Sequence, residues 1–225
     1  MWLCNSSIGR KVVMSVTGVA LILFLTFHMS MNIVALFSGD AYNMICEFLG
    51  ANWYALVATA GLAALAVLHI VYAFWLTMQN RKARGNERYA VTTRPQGVEW
   101  ASQNMLVLGI IIILGLLLHL FNFWYNMMFA ELTGIAVAHH PADGYAYIVD
   151  TFSCPVYVVL YIVWFVALWF HLTHGFWSAM QTFGWNGKVW YCRWKVIGIA
   201  YSTLLCLGFL VVVLWFAAKG LCGCC

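Results

Sequence analysis

Apolar residues run along this chain in five long blocks, at 12–36, 53–78, 101–128, 155–180 and 196–218, and polar residues gather between them. Each block holds 23 to 28 residues, and about 20 helical residues cross the hydrocarbon core of a bilayer. The blocks are continuous rather than alternating, which selects helices over barrel strands. The pattern predicts an all-α membrane protein, a single domain over 1–225 built as a bundle of five transmembrane helices. The gaps between blocks are 16, 22, 26 and 15 residues long, too short for a separate catalytic domain. The first block exceeds the 7–15 apolar residues of a secretory signal and no A-x-A site follows it, so it is expected to remain as a span.

Composition sharpens this. Hydrophobic residues make up 64% of the 225 and charged residues 8%, against about 25% charged in soluble domains. A water-soluble enzyme is excluded, and so is disorder. The chain has no flavin fingerprint, phosphate-binding loop, dinucleotide motif or Ser/His/Asp set. Any soluble chemistry therefore belongs to another chain, and nothing points to nucleic acid.

Charge orients the bundle. Arg10 and Lys11 precede the first block. Arg81, Lys82, Arg84, Arg88 and Arg94 follow the second, and Lys188, Arg193 and Lys195 precede the fifth. Of the 11 cations, only Lys219 falls on the other side. The positive-inside rule makes the basic side cytoplasmic, with the N-terminus inside and the C-terminus outside. Asp40, Glu47, Glu131, Asp143 and Asp150 then face outward. Cys4, Cys46, Cys154, Cys192 and Cys206 are scattered and read as small hydrophobes. The Cys222-Gly-Cys-Cys225 tail has C-x-x-C spacing but no second pair for zinc, so a plain tail outside the membrane is expected.

The histidines carry the chemistry. His139 and His140 fall in the outer gap and are expected at the surface. His28, His69, His119, His171 and His174 lie inside the blocks, where an ionisable group is costly and marks a functional site by default. At 1.5 Å rise per residue, His28 sits roughly 26 Å from the basic edge and His119 roughly 28 Å. His69 lies roughly 18 Å from that edge and His174 at most roughly 21 Å. Four helices thus offer one outer and one inner pair of imidazoles, which suits two stacked haems, each ligated on both axial faces. Gly18 precedes His28 by ten residues, as Gly109 precedes His119, an echo that fits a shared way of seating a ring edge. Polar neighbours at helical spacing extend the same faces: Asn32 beside His28, Asn122 and Asn126 beside His119, Tyr72 beside His69, Ser178 beside His174. His171 is an alternative to His174 as ligand. Plain hydrogen bonding between helices and a proton relay in a transporter are rival explanations. The relay calls for midplane carboxylates, and no Asp or Glu falls within a predicted span.

At these residues the chain resembles the five-helix, two-haem cytochrome b subunit of succinate dehydrogenase and quinol:fumarate reductase. The likeness covers nearly the whole chain. It rests on Met14-Ser-Val-Thr-Gly18, Phe27-His-Met29, Leu68-His-Ile70 leading to Gln79-Asn-Arg-Lys-Ala-Arg84, Arg94-Pro-Gln-Gly97, Leu118-His-Leu120 and the run His171-Leu-Thr-His-Gly-Phe-Trp-Ser-Ala-Met-Gln-Thr-Phe-Gly184. The resemblance implies an outer haem b on His28 and His119 and an inner one on His69 and His174. It implies a flavoprotein subunit and an iron–sulfur subunit on the cytoplasmic face of a bacterial inner membrane, and two such complexes could pair as a dimer. The activity implied is electron transfer between a membrane quinone, menaquinone by expectation, and the fumarate/succinate site of the flavoprotein. Glu47 is the expected proton acceptor of the quinol site, with Asp40 a weaker candidate. Ser15, Ser102, Trp100, Lys188 and the arginines near Arg81 are expected partners of the inner haem propionates. Some relatives carry a Glu two residues before the ligand on the fourth span; here Leu172 stands there. A cytochrome b anchor of a hydrogenase or formate dehydrogenase is the runner-up, and the run at 171–184 argues against it.

Overall fold

The computed structural model describes residues 6–50, 52–84 and 99–222. Arg88, the Arg94-Pro-Gln-Gly97 run, Cys4, Cys224 and Cys225 lie outside the described residues. Helix α1 is Ser7–Ile33, continued by one 3-10 turn at Val34–Leu36; α2 is Gly39–Phe48 and α3 is Trp53–Arg84. A short α4, Trp100–Gln103, leads into α5, Met105–His119, which passes into a π-helical segment, Leu120–Phe129, and then α6, Ala130–Thr133. Helix α7 is Gly144–Ser153, α8 is Pro155–Thr182 and α9 is Lys188–Cys222. There is no strand among the described residues. Among the described residues, five helical stretches are long and apolar enough to cross a membrane: Ser7–Leu36, Trp53–Ala83, Met105–Thr133, Pro155–Thr182 and Lys188–Leu221.

The helices outrun the apolar blocks because a helix goes on beyond the hydrocarbon until something stops it. Helix α9 starts two turns ahead of the predicted residue 196, and α3 continues past 78. The third stretch runs to Thr133 and takes in Glu131, which the sequence leaves in the loop; Gly134, at φ 70, ends it in the left-handed conformation. Helix α8 begins on Pro155, whose missing N–H costs nothing at the first position. The Ser6 side chain caps α1 by accepting from the Gly9 amide at 2.9 Å.

Two elements are absent from the hydrophobic pattern. Helices α2 and α7, ten residues each, fold the outer gaps back onto the bundle. Helix α2 buries Tyr42; α7 buries Tyr147, Ile148 and Phe152. Asn43 fastens them together: its Nδ2 donates to Asp143 Oδ1 at 2.8 Å, and its Oδ1 accepts from the Tyr145 amide at 2.9 Å.

Helices α8 and α9 form the most extensive contact. Ile22 and Met29 of α1 pack against Phe165, Leu168 and Leu172 of α8 and Leu205, Phe209, Val213 and Phe216 of α9. Helix α3 leans on α1, and α5 leans on α8, while α3 and α5 barely touch each other. Gly115 lets α5 and α8 close: the Trp164 indole occupies the space a β-carbon would need there and donates to the Ile112 carbonyl at 3.1 Å. Arg10 donates to Gln79 Oε1 at 2.7 Å, so the start of α1 and the end of α3 share one end of the bundle, the basic end.

Candidate histidine site

Four of the five histidines in the spans, from α1, α3, α5 and α8, meet at two levels. At the level far from the basic end, His28 of α1 and His119 of α5 face each other edge-on, ring centroids 5.7 Å apart and planes at 85°. Phe24 stacks on His28 at 5.4 Å, with Phe209 at 5.9 Å. Phe123, Trp164 and Tyr161 surround His119 at 5.1, 5.7 and 6.3 Å. Asn32 is spent on the backbone, donating to the His28 carbonyl at 2.8 Å and accepting from the Tyr42 hydroxyl at 3.1 Å. Helix α2 is thereby tied to the turn that carries His28. His119 is the last residue of regular α5, and the wider π-helical turns start right after it. Asn122 and Asn126 extend the His119 face there. Asn122 donates to the Tyr161 hydroxyl at 3.4 Å, and Asn126 donates to the Phe121 and Asn122 carbonyls, each at 3.0 Å. Such insertions cluster at functional sites, and the apolar pattern of residues 120–129 gives no sign of this one.

At the second level, the ring that faces His69 of α3 is His171 of α8, at 6.4 Å and 67°. His69 Nδ1 lies 3.0 Å from the Thr17 hydroxyl of α1. Gly18 packs against the same ring, where a β-carbon would stand in ordinary contact, 3.4 Å from His69 Cε1. The structure thus gives Gly18 a partner in His69, whereas Gly109 faces open space.

His174, one turn nearer the basic end, turns elsewhere. Its Nδ1 is 3.4 Å from Glu99 Oε2, to which Trp177 Nε1 donates at 3.2 Å, while Lys195 Nζ lies 2.7 Å from Glu99 Oε1. Lys195 also sits over the Trp177 and Tyr191 rings, at 4.7 and 4.9 Å. Partial burial by itself raises the Glu99 carboxyl, but hydrogen bonds from Lys195, His174 and Trp177 outweigh it and hold the group below the ordinary carboxylate range. Glu99 stands just before α4, outside the predicted third span, and nothing in its sequence neighbourhood announces this role.

The other expected residues separate. Ser15 is buried in α1, whereas Ser102, Trp100, Lys188 and Arg81 are exposed. Glu47 is exposed on α2, on the side away from Tyr42, and shares an open depression with Asp40, Asn43, Met44, His140 and Asp143. His139 is at the surface, paired with Asp150 at 2.5 Å. Leu172 is buried in the core.

The donor set can be tested for an iron porphyrin on its own terms. Among the described residues, no group of three His, Cys, Asp or Glu side chains is placed to hold a metal ion, so a closed site made wholly of protein ligands finds no support. A macrocycle brings four nitrogens of its own and asks the protein for two more on opposite faces. The facing pairs offer that number. His119 Nδ1 and His171 Nδ1 are buried without a hydrogen-bond partner, a costly state for a polar atom. The facing pairs fit two two-histidine sites.

Compared with family models, with curated proteins and with solved structures, the chain matches none.

Proposed function

We propose that this chain is a di-haem cytochrome b that carries electrons through the membrane between a quinone, menaquinone by expectation, and the iron–sulfur and flavoprotein subunits of a succinate dehydrogenase/fumarate reductase. The observation that carries the proposal is the meeting of imidazoles from four helices in two edge-on pairs, one above the other. His28 and His119 would hold the far haem. His69 would hold the other with a histidine of α8, and His171, the ring turned toward it, is the one the geometry favours. His174, which the resemblance indicates, lies beside Trp177 and Glu99, and among the described residues it meets no ring of α3. A haem iron held by two histidines would supply one-electron transfer.

The residues of the chain supply the rest. Phe24, Phe123, Tyr161, Trp164 and Phe209 keep water from the far pair. Quinol oxidation releases two protons for each two electrons, so a proton acceptor is needed where quinol reacts. Glu47, with Asp40 and His140 in the same depression, offers acceptors open to solvent at the far end. An electron moved fully across 100 mV exchanges about 2.3 kcal/mol with the membrane potential. Whether His171 or His174 is the ligand, the residue two positions earlier is Trp169 or Leu172, and neither carries protons. Electron transfer from the far end to the basic end is therefore expected to work against the membrane potential uncompensated by that route.

A pyridine haemochrome assay on the purified chain is expected to give two haem b per polypeptide; none would overturn the proposal in favour of a cofactor-free transporter. Copurification with a flavoprotein and an iron–sulfur protein is expected, and copurification with a hydrogenase or formate dehydrogenase would reassign the partners. Replacing Glu47 by Gln is expected to lower quinol oxidation at least tenfold, in keeping with the 10²–10⁴-fold worth of positioned acid–base groups less what Asp40 and His140 can replace. Both haem bands should stay intact. Unchanged quinol turnover would remove Glu47 from the site.

A further inference from the structure

Thr17 has three polar neighbours and one proton. Its hydroxyl lies 2.8 Å from the Val13 carbonyl, 3.1 Å from the Met14 carbonyl and 3.0 Å from His69 Nδ1. It is buried at 3% exposure. A carbonyl can only accept, so the better placed Val13 carbonyl takes the hydroxyl proton, as Ser and Thr commonly do within helices. The Thr17 oxygen is then left as an acceptor toward the ring, and Nδ1 must be the protonated nitrogen of His69. That fixes the tautomer: Nε2 keeps its lone pair. His119 and His171 have no such partner on Nδ1, so the arrangement is particular to His69.

We propose that Thr17 is a positioning residue that locks His69 in the Nδ1–H tautomer and presents Nε2 as an axial iron ligand. The inference rests on the di-haem reading and adds to it a residue on a fourth-neighbour helix, α1, acting at the level nearer the basic end. A hydrogen bond donated by the non-ligating nitrogen makes imidazole a more basic ligand, and losing such a partner costs about 10–100-fold in metal affinity. The more basic ligand favours ferric over ferrous iron, so its loss moves the reduction potential upward. A tenfold loss confined to the ferric form corresponds to about 59 mV for one electron.

The test uses the whole complex in native membranes, with Thr17→Val and Thr17→Ala to remove the hydroxyl through two different packing changes, and Thr17→Ser to retain it. Redox titration and the electron paramagnetic resonance of the ferric haems are the readouts. Expected is an upward shift of one haem potential in both hydroxyl-free variants, with a changed ferric signal for the same haem. The other haem should keep its potential, and Thr17→Ser should restore the wild-type values. A wild-type potential in either hydroxyl-free variant overturns the proposal, as does a Thr17→Ser chain that behaves like Thr17→Val. Absence of haem from the unsubstituted protein is a different result: it strikes the di-haem reading rather than the role of Thr17.

Discussion

A His28→Ala chain is expected to lose one haem entirely and keep the other. The reason is that the two pairs share no ligand: His28 meets His119, and His69 meets His171. Without His28, the proposed haem would be held by His119 alone, and Phe24 and Phe209, the rings beside His28, offer no substitute donor. Haemochrome stoichiometry should fall from two to one, and the remaining haem should titrate as in the wild type. His119→Ala should reproduce the result, since it cuts the same pair. Electron flow from quinol to fumarate should drop by orders of magnitude, because a carrier is missing from the series. Equal loss of both haems in either variant would show that the pairs are not independent and would count against the pairing.

The second large effect separates two histidines on one helix. His171→Ala is expected to abolish the other haem, whereas His174→Ala is expected to retain it. His171 points at His69 with its Nδ1 buried and unpartnered. His174 has its Nδ1 on Glu99, in a cluster closed by Lys195 and Trp177. Losing His174 should therefore loosen the basic end of α8 without removing a ligand, at a cost of about 1 kcal/mol or less, as for other partly exposed ion-pair networks. Visible spectra of the two variants decide the matter. Retention of both haems in His171→Ala together with loss of one in His174→Ala would return the ligand role to the residue that the resemblance indicates.

The residues that made these sites findable are few and specific. Imidazoles inside apolar blocks stand out because each costs free energy in hydrocarbon, and their distance along a helix gives their depth. That arithmetic puts His28 level with His119 and His69 in the basic half of its helix. It does not choose between His171 and His174, which lie three residues and less than one helical turn apart. Choosing between them needs the rotation of α8 about its own axis, and that is set by Trp164 against Gly115, by Trp169 donating to Thr203 at 2.8 Å, and by the core side chains of α9.

By itself, then, the sequence determined five membrane-length helices, the clustering of cations at one end and the helices that carry histidine. These follow from hydrophobicity and rise per residue, which are local. Tertiary structure alone decided what each ring meets: Thr17 beside His69, Glu99 beside His174, α2 and α7 folded onto the far end, and the π-helical turns after His119. Each joins residues distant in the chain or arises from packing between helices, and a one-dimensional pattern holds no term for either.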